Sequence, residues 1–291
     1  QHWSSWDSEV TDVAMNSTEN LIARLRRHPS VFTFLLGSDE SPPTHIEAKY
    51  RSVFDDQLWH THATIVASAA NTTSVLSGQT GVKMSGPYAF QSESYWSENL
   101  NVMNHYPLGG PFGFLTEGGP GASPMLFDQW KSIAPIEQLW PSNNTMWDWH
   151  CASNQGRFNN LRYYTPFQDQ RYGVSQNAAQ YLIRSQFNIY ASHRAMFEAY
   201  QAMKYKSATG VIQWLLNSPF PNHYWNLINY DQSRLGGAAY GTRKACGSPL
   251  HLMFFPSDRS IYLINSQYTS SGNQTKGIVC SASVYSLHGA M

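Results

Sequence analysis

Short, wholly apolar runs separated by stretches of helical periodicity set the tightest limit on what this chain can fold into. The first run, Val31 to Leu36 in SVFTFLLGSDESPP, is too short for a helix and is bounded by turn residues. A strand that is apolar on both faces must be covered on both, which is the condition inside a parallel sheet. The pattern returns in ATIVASAA, GVKMSGPYAF, PFGFLTEGGPG and TGVIQWLLNSPF. Helical segments lie between them. One is expected to start at Asn16, with Glu19 three residues on as in a capping box, and to end at Arg26, Arg27 and His28 before Pro29. It carries Leu21, Ile22 and Leu25. A second is IEAKYRSVFDDQLWH. A third runs from AAQYLIRS to AMKYK, where Leu182, Ile189, Met196 and Met203 recur every seventh residue with Phe197 and Tyr200 alongside. Strand and helix in alternation predict an α/β architecture with a parallel sheet.

The texture changes at about residue 246. From there short β-rich runs are separated by Ser, Asp and Gly turns, the pattern of an antiparallel sandwich. About three strands fit before residue 291, fewer than a closed sandwich needs. Two units follow: 1–245, α/β, and 246–291, the start of an all-β sandwich.

Composition narrows the function classes. Hydrophobic residues make up 42% and charged residues 13%, which favours a substantial core over disorder. A formal net charge of +0 gives no electrostatic case for nucleic acid or an anionic membrane as partner. No apolar run approaches the length of a membrane span, and no signal peptide is visible. The first residue is Gln1 rather than Met, as in a mature, trimmed or partial chain. Asn16, Asn71, Asn143 and Asn273 each open an N-x-S/T sequon, which leans towards a secreted glycoprotein. Cys151, Cys246 and Cys280 make no disulfide framework. Cys246 and Cys280 either pair across the start of the sandwich or stay free. His60 and His62 form an H-x-H pair with no third ligand at convincing spacing, so no metal is expected. The aromatic MWDWHC, residues 146 to 151, walls a cleft or simply packs a loop.

Two apolar runs lead into an acid and then a turn: Asp39 in LLGSDESPP and Glu117 in FLTEGGPGA. In a parallel α/β sheet or barrel the C-terminal strand ends form the active face. Two carboxylates about 5 Å apart are the equipment of a retaining glycosidase: one donates a proton to the leaving oxygen and the other attacks the anomeric carbon. Asp is also an ordinary turn residue, because it bonds its own backbone. Glu is not, and an uncharged approach to Glu117 has little structural reason.

The segments RLRRHPSVFTFLLGSDESPP, GVKMSGPYAFQSESYW, FGFLTEGGPGASP, RAMFEAYQAMKYKSATGVIQWLLNSPFPNHYWNL and GGAAYGTRKA, in this order, resemble the exo-β-D-glucosaminidases. These are the chitosan-degrading members of the glycoside hydrolase family that also holds β-galactosidase and β-mannosidase. The resemblance runs through nearly the whole chain. It implies a TIM (β/α)8 barrel for 1–245, from about strand four to strand eight, with an immunoglobulin-like sandwich beginning at 246. On that template Asp39 follows the fourth strand, Glu117 ends the seventh and Trp214 lies on the eighth. Relatives in the wider family have Asn-Glu after strand four, whereas the glucosaminidase subgroup has Ser-Asp, here Ser38-Asp39.

The resemblance makes Asp39 the general acid/base and Glu117 the nucleophile of a hydrolase releasing glucosamine from the non-reducing end of chitosan or chitooligosaccharides. It calls for no cofactor, since both steps are acid/base and nucleophilic chemistry. Ser38, Tyr88, Trp214 and Asn217 are the candidate substrate-binding residues. Trp214 floors a sugar subsite or fills core; Tyr88 meets the nucleophile or sugar, or packs beside its Gly-Pro turn; Asn217 reaches substrate or closes a turn. The Ser-Asp pair argues against a β-mannosidase-like activity. A non-catalytic carbohydrate-binding or structural remnant is a different reading, supported by the missing first half of the barrel, which the full-length chain is expected to supply.

Overall fold

The computed structural model describes residues 6–38, 41–57, 63–65, 82–83, 86–101, 110–152, 160–230, 234–266, 279–281, 283 and 285–286. The elements run α1 (Ser8–Leu25), β1 (Thr33–Leu35), α2 (Thr44–Asp56), β2 (Ala63–Ile65), β3 (Val82–Lys83), α3 (Glu93–Glu98), β4 (Gly113–Gly118), α4 (Phe127–Ile133), α5 (Thr145–Trp147), α6 (Asn160–Tyr172), α7 (Ala178–Ala202), β5 (Ala208–Gln213), α8 (Gly237–Cys246), β6 (Leu250–Phe255) and β7 (Ser260–Asn265). β1 pairs with β2, and β3, β4 and β5 form a second sheet in that order, all parallel. The parallel α/β expectation therefore holds. β6 and β7 pair antiparallel, Leu250 opposite Asn265 and Phe255 opposite Ser260, so the change of texture near residue 246 is a real change of strand pairing. Among the described residues no helix is long and apolar enough to cross a membrane.

α7 organises the packing. Its side of Leu182, Ile189, Met196, Phe197, Tyr200 and Met203 is buried, as the seven-residue spacing predicts. Asn177 caps it, its side chain accepting from the Gln180 amide at 2.9 Å. Leu182 and Ile189 join a cluster with Trp130, Trp147, Tyr164 and Tyr181. Met196, Tyr200 and Met203 join another with Trp96, Leu115, Met253 and Phe255. At 1.5 Å per residue α7 is about 37 Å long, and its C-terminal half packs on the strand sheet and the β6–β7 hairpin within one cluster. A third cluster, Ile22, Ile46, Tyr50 and Phe54, seals α1 and α2 against Phe34 of β1.

Several boundaries differ from expectation. α1 begins at Ser8, where Asp7 Oδ1 accepts from the Val10 amide at 2.8 Å. Asn16 is a mid-helix residue whose carbonyl takes the Asn20 side chain. Asp7 and Asn16 are both good caps, and the earlier one wins because the helix gains two further turns. The run Val31 to Leu36 yields a strand of only three residues, and Phe32 and Leu35 stay exposed. The last apolar run stops pairing at Gln213, so Trp214 stands just past its strand rather than on it. Trp147 is fully buried and Trp149 exposed, so MWDWHC is not a loop but the end of α5 and a wider helical turn after it, packed by one of its two indoles. Cys246 and Cys280 are free and exposed. Asn16 and Asn143 are exposed. His60, His62, Asn71 and Asn273 lie outside the described residues.

Candidate active site

Glu117 sits one residue before the end of β4. Leu115, two residues earlier, is fully buried in the cluster under α7, and strict alternation would send Glu117 to the same face. The register prevents this. Leu115 is opposite Val211 and Gly118 is opposite Gln213, so β4 takes three steps where β5 takes two. One extra residue is a bulge, and a bulge re-aims the side chains beyond it. The Glu117 carboxylate is thereby released from the apolar layer and only half-buried.

The loop after β4 is stitched to the segment after β3. The Gly119 amide donates to the Pro87 carbonyl at 2.9 Å, and the Gln91 amide donates to the Pro120 carbonyl at 2.9 Å. Gly121 makes this approach possible: its φ is +89°, and a Cβ there would stand 2.2 Å from the Phe90 nitrogen. The stitching brings Tyr88 to the carboxylate. Its hydroxyl donates to Glu117 Oε1 at 3.0 Å, which holds that oxygen in place.

Aromatic rings close the other side. The Trp214 amide donates to the Gly118 carbonyl at 2.9 Å, fixing the exit of β5 beside the exit of β4. The half-buried Trp214 ring meets Tyr88 edge-on at 5.5 Å between centroids. Trp225 lies 4.5 Å from Trp214 and 6.0 Å from Tyr88. Three of the sequence candidates, Tyr88, Glu117 and Trp214, are thus assembled in one place. Asn217 follows three residues after Trp214, half-buried, with its backbone bridged to Ile228. Ser38 is half-buried beyond β1, and Asp39 lies outside the described residues. Trp225 was not among the sequence candidates. Its one signal is its place in NHYWNL, and a buried Trp there reads as core.

A half-buried carboxylate held by a phenol beside a half-buried indole offers a nucleophile next to an aromatic ring of the kind that stacks on sugars. Among the described residues no group of three or more His, Cys, Asp and Glu is arranged to hold a metal ion. A cleft of about 840 Å³ lies elsewhere, between α7, α8 and the β6–β7 hairpin, lined by Tyr190, Tyr240, Arg243 and Lys244. Among the described residues no carboxylate lines it.

No family model matches the chain. The chain is 33% identical over 273 residues to an exo-beta-D-glucosaminidase of Streptomyces avermitilis, covering 91% of this chain and 28% of that protein. Its fold matches an exo-chitosanase of Amycolatopsis orientalis, solved as an aspartate-to-alanine variant with PNP-beta-D-glucosamine, with a TM-score of 0.74 and 30% identity over 89% of this chain and 30% of that one. A glutamate-to-alanine variant of the same enzyme has been solved with the same compound. A beta-D-mannosidase of Dictyoglomus thermophilum shares the fold, with a TM-score of 0.62 at 16% identity over 90% of this chain and 32% of that one. The chain spans under a third of the length of these proteins.

Proposed function

We propose that this homologue of the exo-beta-D-glucosaminidases is the part of such an enzyme that carries its reacting carboxylates, and that the whole protein removes glucosamine from chitosan or chitooligosaccharides with retention of configuration. The observation that carries the reading is the Tyr88 to Glu117 hydrogen bond at the end of β4, beside Trp214. Glu117 is the nucleophile. Tyr88 orients the carboxylate that attacks the anomeric carbon, and Trp214 supports the sugar ring. Asp39, following Ser38 after β1, protonates the leaving oxygen and then activates water. The two variants solved with PNP-beta-D-glucosamine, one lacking an aspartate and one a glutamate, fit a pair of carboxylates of those types.

The same reading takes 1–245 as the second half of a TIM barrel, with β1 to β5 as its strands four to eight, and 246–291 as the start of a sandwich domain. Both steps use only acid/base and nucleophilic groups of the protein. The sequons fit a secreted glycoprotein.

The test is hydrolysis of PNP-β-D-glucosaminide by the protein that carries this chain, with Glu117→Ala and Asp39→Ala made alongside. Each variant is expected to lose turnover about a thousandfold or more. Azide should restore Glu117→Ala with an inverted glycosyl azide, and Asp39→Ala with a retained one. A Glu117→Ala protein with undiminished turnover would remove the assignment. A folded parent inert on glucosaminides but active on a mannoside would remove the substrate.

A further inference from the structure

We propose that Trp225 is a positioning residue for the reaction assigned above, holding Tyr88 where its hydroxyl can reach Glu117. The proposal rests on that reading of the site. Trp225 is buried, with 4% of its surface exposed. Its indole N–H donates to the Tyr88 carbonyl at 2.6 Å. Its own carbonyl accepts from the Leu215 amide at 3.2 Å and from the Gln213 side chain at 3.0 Å, which ties it to the exit of β5. Its ring is stacked with Tyr224 at 4.4 Å and lies 4.5 Å from Trp214.

A buried indole N–H needs an acceptor, and the one Trp225 uses is the backbone carbonyl of a tyrosine whose hydroxyl meets Glu117. Tyr88 follows Gly86, whose φ is +79°, and Pro87, whose carbonyl accepts from the Gly119 amide. A carbonyl anchored at Tyr88 fixes the root of its side chain, and the Trp214 and Trp225 rings limit its swing. Trp225 touches neither substrate nor the reacting atoms in this scheme. It acts through Tyr88, and a shift of about 1 Å at a hydrogen-bonded catalytic group is worth up to a hundredfold in rate.

The experiment uses the protein that carries this chain, with PNP-β-D-glucosaminide as substrate, and compares Trp225→Phe, Tyr88→Phe and the double variant. Trp225→Phe keeps a ring between its neighbours, removes the N–H donor and gives up part of the indole's volume. It should lower kcat about tenfold with KM within twofold of the parent, and the double variant should be no slower than Tyr88→Phe. A purely structural Trp225 gives a lower Tm with kcat unchanged, or losses that multiply in the double variant. Either result overturns the proposal. If Trp225→Phe does not fold, Tyr224→Leu carries the test: it loosens the same indole, so a lower kcat at constant KM supports positioning and an unchanged kcat refutes it. Glu117→Ala reports separately, because undiminished turnover there removes the site reading itself, whatever Trp225 does.

Discussion

At Glu117 a carboxylate ends an apolar strand at little cost, because the bulge before Gly118 turns it out of the core and the Tyr88 hydroxyl binds it. Part of this was legible in the sequence. A charged residue closing PFGFLTEGG, where Asp, Asn or Gly would make the better turn, marked Glu117 as out of place. Periodicity did not reveal its partners, since Tyr88 and Trp214 are 29 and 97 residues away in sequence (88 to 117, 117 to 214) and only β-sheet pairing brings them in. Trp225 stayed hidden because burial of an indole is its default. Two histidines give a residue-scale prediction about pH. Burial, with His150 nearby, lowers the His223 imidazole to about 3, and burial lowers His193 to about 4. Both are neutral in the fold, whereas an unfolded chain protonates them below about pH 6.5. Their neutral burial is therefore tolerated above pH 6.5 and increasingly opposed as pH falls towards 4 and 3. Denaturant midpoints should fall across that window, and His223→Gln should flatten the decline while keeping an acceptor for the Met125 amide. An acid slope unaltered by His223→Gln and by His193→Leu would show that other groups govern it.

Among the elements, α7 was the easiest to foresee. Four apolar residues at seven-residue spacing define one helical face whatever surrounds it, and all four are buried. The short strands were harder. β1 and β3 are held by pairing with neighbours far along the chain, so their ends follow from partners and not from local preference. The start of α1 was missed because two capping residues competed within ten positions. Met196 is fully buried in the cluster that also holds Leu115 of β4. Met196→Ala should cost about 2 to 5 kcal/mol of stability by denaturant titration. Gly121→Ala is a sharper local test. A methyl at φ +89° and 2.2 Å from the Phe90 nitrogen forces apart the loops that bring Tyr88 to Glu117. We expect that variant to lose turnover as well as stability, and full activity would show that the stitching is dispensable.

For the whole molecule, the join between the strand sheet side and the hairpin is the informative place. Glu198 of α7 accepts from Arg194 at 2.7 Å and is paired with His251 of β6 at 2.7 Å. Both Glu198 and His251 are nearly buried, and breaking a buried pair from one side leaves the other group uncompensated. Glu198→Gln should therefore raise hydrogen exchange across 250–265 more than across 113–118, and uniform change would argue that the clasp has no local role. The hairpin's outer face exposes Leu252, Phe254 and Ile261. Neither sheet nor hairpin could be placed relative to the other from sequence, because no pattern announces which helix two cores share.

α7 also bears on how such proteins can be recombined. Its near half is committed to the Trp130–Trp147 cluster and its far half to the Met253–Phe255 cluster. A gene crossover inside 178–202 would join two half-helices shaped to unrelated neighbours, while a crossover in the turn at 203–207 would leave the rod whole. Exchange between relatives is therefore expected to respect the helix as a single unit of inheritance, and a library of chimeras scored for soluble expression would show its viable junctions avoiding that span.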